Sequence, residues 1–208
     1  MNIVISSGHG KLVRGAEGYL DEVNEARKVV NRVAEILAGA GVGVEVFHDD
    51  TSTSQSQNLD RIVDFHNGEK RDLDVSVHFN AYETTSGPMG CECLHVTQES
   101  LAKKVADKIC GASGLKNRGA KKRTDLAFLN GTDEPAILIE TCFVDSKADA
   151  DIYKTKFDAI CRAICDAIAG VPQAGLPPET TAPPPTDVAI PVVTITVDPP
   201  NSVKIILK

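Results

Sequence analysis

The chain has 208 residues, 42% hydrophobic, 25% charged and only 4% aromatic, with a formal net charge of -7. That length allows one ordinary domain with an appendage, built on an aliphatic core. The acidic balance argues against a general nucleic-acid binder, which needs a basic face for phosphates.

In chain order, residues 2–6 read as a first strand, Asn2-Ile3-Val4-Ile5-Ser6, running into Ser7-Gly8-His9-Gly10. A loop from Gly8 to Tyr19 follows. From Leu20 to Ala38 the spacing predicts a helix, with Val23, Ala26, Val29, Val30, Val33, Ala34 and Leu37 on one stripe. Asp21 and Glu22 stand in its first turn, where negative charge suits the helix dipole, and Gly39 and Gly41 stop it. Residues 42–47 read as a second strand and Thr51–Gln57 as a polar loop. A helix over 58–66 carries Leu59, Ile62, Val63 and His66 on one side. Val75–His78 is the third strand, within Leu73-Asp74-Val75-Ser76-Val77-His78-Phe79-Asn80-Ala81. Residues 90–96 are strand-like and 98–111 helical. Lys116–Arg123 reads as a basic loop. The apolar run Pro135-Ala136-Ile137-Leu138-Ile139-Glu140 gives a strand over 136–140, and 148–169 is the last amphipathic helix.

Strands alternating with helices imply an α/β fold: a mostly parallel twisted sheet with helices on both faces. After Gly170 the composition changes. Residues 171–186 are rich in Pro and Thr and read as a semi-rigid linker. Residues 187–208 read as a short β-rich tail, too small to be stable alone, so it must dock on the main domain, oligomerise with another copy or belong to a larger binding module. The domain reading is therefore 1–170, 171–186 and 187–208. The six cysteines, Cys91, Cys93, Cys110, Cys142, Cys161 and Cys165, lack zinc-type spacing and are expected as reduced, buried thiols. No apolar stretch is long enough to span a bilayer. The first residues lack the basic and apolar regions of a signal peptide, so synthesis in the cytoplasm is expected.

Two of the strands end near a histidine, His9 and His78, and a third ends in a carboxylate, Glu140. Parallel strand ends gather along one edge, where open α/β sheets bind ligands. Neutral imidazoles are the commonest metal ligands, and a catalytic zinc takes three protein ligands. Glu22, opening the helix after the first strand, is the choice for the third; Glu17, Asp21 and Glu25 compete on spacing alone. Asn24 is a candidate to orient a ligand. Glu140, at the end of an apolar run, must be paired, close to a metal or protonated. As a general acid/base it would serve the cleavage of an amide by metal-activated water. The basic segment Lys116–Arg123 could hold an anionic substrate. His48, His66 and His95 read as structural.

These segments resemble the zinc-dependent N-acetylmuramoyl-L-alanine amidases of the type-3 catalytic domain, especially those of phage endolysins. The resemblance covers roughly residues 1–170 in consistent order. It rests on Ser7-Gly8-His9-Gly10, Glu22 before an amphipathic helix, Ser76-Val77-His78-Phe79-Asn80-Ala81, Asn117-Arg118-Gly119-Ala120-Lys121 and Leu138-Ile139-Glu140-Thr141-Cys142-Phe143-Val144. It implies one zinc per chain held by His9, Glu22 and His78, with Glu140 as the catalytic carboxylate. Glu22 rather than Glu25 fits the family's distance to the glycine after the first helix, here Gly41. Asn80, Arg118 and Lys121 lie in the shared motifs and are expected on the substrate side. The implied reaction is hydrolysis of the amide joining N-acetylmuramic acid to L-alanine, so bacterial peptidoglycan is the expected partner, with no nucleic acid and no membrane. Oligomeric state is left open by the sequence. Action at the cell wall after holin- or lysis-mediated release would follow. The alternatives are another zinc peptidase or deacetylase on this fold, and a non-catalytic wall-binding protein; the intact set His9, Glu22, His78 and Glu140 speaks against the latter.

Overall fold

The computed structural model describes residues 1–171. The expected linker, but for its first residue, and the expected β-rich tail lie outside the described residues. The elements are β1 (Asn2–Ser7), α1 (Glu22–Gly39), β2 (Gly43–Phe47), α2 (Gln55–Gly68), β3 (Leu73–Asn80), β4 (Cys91–His95), α3 (Glu99–Ser113), β5 (Asn117–Lys122), α4 (Ala127–Gly131), β6 (Ala136–Phe143) and α5 (Lys147–Ala169). They build a six-stranded sheet in the order β2-β1-β3-β6-β4-β5.

The strands β2, β1, β3 and β6 are parallel. β4 runs antiparallel to β6, and β5 is parallel to β4. The sheet is thus mostly parallel, as expected, but two strands run the other way. Residues 81–90, between β3 and β4, contain no helix. A parallel return needs a crossover of a dozen or more residues, normally a helix, so β4 comes back in the opposite sense.

One face of the sheet is covered by α1, α3 and α5. Its core interleaves Ile3, Ile5, Val75, Val77, Ile137 and Ile139 with helical side chains such as Val29, Val33, Ile109, Ile160 and Ile164. The α1 stripe predicted from the sequence is the buried one, and Asp21 caps its first turn by accepting from the Asn24 N–H. All six cysteines are free and buried. The other face has a smaller core, where Ile62 of α2 and Phe128 and Leu129 of α4 pack on Leu94, Ala136 and Leu138. Side chains alternate along a strand. The next residues of that second face, beyond Leu138 and Leu94, are therefore Glu140 and Glu92.

Three sequence readings need correction. Residues 117–122 form the edge strand β5 rather than a loop. The segment Asn117-Arg118-Gly119-Ala120-Lys121-Lys122 has one apolar residue, so it carries no strand periodicity; pairing with β4 imposes the conformation. The last three residues of the expected loop, 55–57, already belong to α2, which starts at Gln55 with Ser54 accepting from the Gln57 N–H. Glu140 does not end its strand. β6 continues to Phe143, and the register with β3 shifts between His78 and Asn80.

Candidate metal centre and active site

β1 delivers His9 through a close crossing. The Gly8 N–H donates to the Val77 carbonyl at 3.0 Å, continuing the β1–β3 ladder past the last residue of β1. A side chain at Gly8 would collide with the His78 ring. Glycine therefore lets the two imidazoles approach, their centroids 5.1 Å apart with the rings at 77°.

Glu22, the first residue of α1, is 3% exposed. Its Oε2 accepts from the Ala16 N–H at 2.8 Å and its Oε1 from the Phe79 N–H at 3.1 Å. The same Oε1 lies 3.1 Å from His78 Nδ1 and 3.5 Å from His9 Nε2. A Cβ at Gly15 would fall on the Glu22 carboxylate and the His9 ring. Two glycines and two backbone N–H groups thus hold His9, Glu22 and His78 together, with one ligand atom from each lying within 4.8 Å of the others.

The competing carboxylates are occupied elsewhere. Asp21 caps α1 and pairs with Arg14, which also binds Glu17. Glu25 accepts from Lys28 Nζ and from the Tyr153 hydroxyl. Asn24 directs both its N–H and its side-chain amide to Asp21, so the expectation that it orients a ligand is corrected: it belongs to the helix cap.

Glu140 stands between His78 on β3 and Glu92 on β4, in register with both. Its Oε2 is sealed from solvent and has no hydrogen-bond partner among the described residues. Burial pushes its carboxyl up to about 7; the charges of Glu22 and Glu92 add to that, while those of His78 and Arg123 oppose it. Burial and the neighbouring His78 hold the His9 imidazole below its ordinary value. Desolvation acts on His78 in the same downward sense, but its hydrogen bond to Glu22 and the charges of Glu140 and Glu22 outweigh it and raise His78. Burial of Glu22 is likewise outweighed, chiefly by the His78 contact, and its carboxyl is lowered.

The expected substrate-side residues separate. Asn80 Nδ2 donates to Glu92 Oε1 at 3.1 Å, and Arg118 Nε donates to Glu92 Oε2 at 2.7 Å. Lys121, paired with Leu94 across the β4–β5 ladder, is exposed on the sheet edge. Glu92 was missed by sequence reasoning. Its signal is a carboxylate between Cys91 and Cys93, both fully buried on the opposite face.

A second constellation looks catalytic and is not. With the imidazole neutral, His66 Nδ1–H donates to Asp74 Oδ1 at 2.7 Å and Nε2 accepts from the Ser6 hydroxyl at 3.0 Å. These are the partners of a nucleophilic triad, but Ser6, His66 and Asp74 are each 0% exposed, so no substrate atom reaches the Ser6 hydroxyl. The group fastens α2 to the sheet. Arg71 completes it with two hydrogen bonds to Asp74.

Two imidazoles and one carboxylate are a donor set that suits zinc, and the unpartnered Glu140 Oε2 beside them is an acceptor without a donor. The fold and this cluster define a candidate metallohydrolase domain on an α/β sheet. A family model described as N-acetylmuramoyl-L-alanine amidase matches residues 3–170, and the chain belongs to that family. It is 36% identical over 180 residues to an uncharacterised 38.4 kDa protein of Clostridium perfringens, covering 81% of this chain and 52% of that protein. It is 32% identical over 162 residues to an endolysin of Bacillus phage SPP1, covering 72% and 57%. The chain thus spans little more than half the length of these curated relatives. The solved catalytic domain of the CD27L endolysin, which targets Clostridia difficile, superimposes with a TM-score of 0.74 at 26% identity, over 82% of this chain and 97% of that one.

Proposed function

We propose that this chain hydrolyses the amide between N-acetylmuramic acid and L-alanine in bacterial peptidoglycan, acting at the cell wall as an endolysin or autolysin. The observation that supports this best is the meeting of His9, Glu22 and His78 beside the half-buried Glu140, in a chain that matches the amidase family over residues 3–170. Among the described residues, no helix is long and apolar enough to cross a membrane.

His9, Glu22 and His78 would hold one zinc ion. Zinc, when bound, supplies a Lewis acid that acidifies water and polarises a carbonyl oxygen. The protein's own part is positional and acid–base. The Ala16 and Phe79 N–H groups fix the Glu22 carboxylate, so the donor set is in place before the ion arrives. Glu140 takes the proton from the attacking water and returns it to the leaving L-alanine nitrogen. Its place in register with His78 puts it beside the water that such an ion would hold.

Digestion of purified peptidoglycan with the full chain, followed by mass spectrometry, tests the assignment. New L-alanine amino termini that vanish on treatment with EDTA and return with zinc are expected. New reducing ends, or cleavage within the stem peptide, would replace the assignment with another hydrolase class.

A further inference from the structure

We propose that Arg118 recognises a free carboxylate on the leaving stem peptide, and that Glu92 is the positioning residue that aims it. The inference rests on the amidase reading above and assigns the specificity of that same site.

Glu92 is 9% exposed and spends one oxygen on each neighbour, Oε1 on Asn80 Nδ2 and Oε2 on Arg118 Nε. Arg118 is tied through Nε alone. No hydrogen bond from its Nη1 or Nη2 to a protein acceptor occurs among the described residues. Its Cζ lies 4.9 Å from the centroid of the Phe143 ring, which with the Glu92 tether restricts the guanidinium plane. Two parallel N–H groups on a fixed plane match the two oxygens of a carboxylate.

The place also fits. Asn80, Ala81, Tyr82, Met89, Arg118 and Phe143 line a cleft of about 240 Å³. Asn80 pairs with Phe143 just past the His78–Glu140 pair, so the cleft adjoins Glu140 on the carboxyl side of β3 and β6. Muramic acid has a single carboxyl group, and it is consumed in the scissile amide. The ionised groups that a guanidinium can bind therefore lie on the peptide, the part that leaves. Asn80 Nδ2 donates to Glu92 and its Oδ1 accepts from the Ala81 N–H, so Asn80 helps hold the carboxylate that aims Arg118.

The test uses zinc-loaded full chain and two muramoyl peptides that differ only in whether the stem carboxylates are free or amidated. Released L-alanine amino termini are followed, and kcat and KM are determined separately. Wild type should favour the free acid in kcat/KM by about tenfold to a hundredfold, the span of a charged hydrogen-bonded pair, mostly through KM. Arg118→Gln should abolish that preference, its loss in kcat/KM being about tenfold to a hundredfold larger on the free acid than on the amidated peptide. Glu92→Gln should shrink the preference with Arg118 still present. Binding of the released acid peptide to metal-free protein, followed by calorimetry, should weaken in parallel. Equal cleavage of both peptides by wild type, or an equal loss on both in Arg118→Gln, would overturn the inference and leave the amidase reading standing. Cleavage of neither peptide by wild type would remove both.

Discussion

Replacing Glu140 with Gln should cost activity and release stability, and the second effect can be sized from the site. Burial lifts the Glu140 carboxyl from an ordinary 4.5 to about 7. Each tenfold change in proton affinity is worth about 1.4 kcal/mol, so an ionised Glu140 costs the metal-free fold on the order of 3 kcal/mol. As pH rises through 4.5 the unfolded chain loses this proton before the folded one does. Stability therefore falls between 4.5 and about 7 and levels off above. Gln does not titrate and keeps the shape. Urea unfolding of the EDTA-treated proteins should show Glu140→Gln gaining about 3 kcal/mol on wild type between pH 4.5 and pH 8. With zinc restored, the variant should lose about 10²–10⁴-fold in turnover, the worth of a general acid/base. A stability difference that stays flat with pH would refute the assignment of a desolvated carboxylate. Turnover above about a tenth of wild type would remove Glu140 from the proton transfers.

Glu22→Gln keeps the acceptors for the Ala16 and Phe79 N–H groups only in part and loses the anionic ligand; bound zinc, measured by elemental analysis after dialysis, should fall at least about tenfold with the far-ultraviolet dichroism unchanged. Asp74→Ala strands the buried Arg71 guanidinium and the His66 N–H, and should destabilise the fold by about 3–5 kcal/mol in urea. His48 is held down to about 4 by burial and by the nearby Arg27, against the pull of Asp50. Its ring resonances should stay those of a neutral imidazole from pH 8 to about 5, and a midpoint near 6.5 would contradict its contacts with Ser7 and Asn31.

Much of the structure is local, and that part was legible. The period of Val23, Ala26, Val29, Val30 and Val33 makes a one-sided helix whatever it packs on, and the β-branched runs at 2–6 and 73–79 suit buried strands alone. Segments that owe their form to partners were not legible. β5 has no apolar alternation and exists because β4 offers it a ladder. The reversal of β4 and β5 depends on which sheet edge a helix-free connection can reach. The site divides the same way. His9, His78 and Glu140 were candidates from their places beside apolar runs, and their residue types suit the metal binding and proton transfer proposed for them. Spacing could not separate Glu22 from Glu17, Asp21 and Glu25; the fold does so, because only Glu22 meets the Phe79 N–H and both imidazoles. Glu92 stands beside Glu140 only once β4 lies antiparallel beside β6, and it aims Arg118 only once β5 pairs with β4. Helical and strand periods are written into neighbouring residues, whereas a contact between residues 92 and 118 depends on chain paths that no single segment encodes.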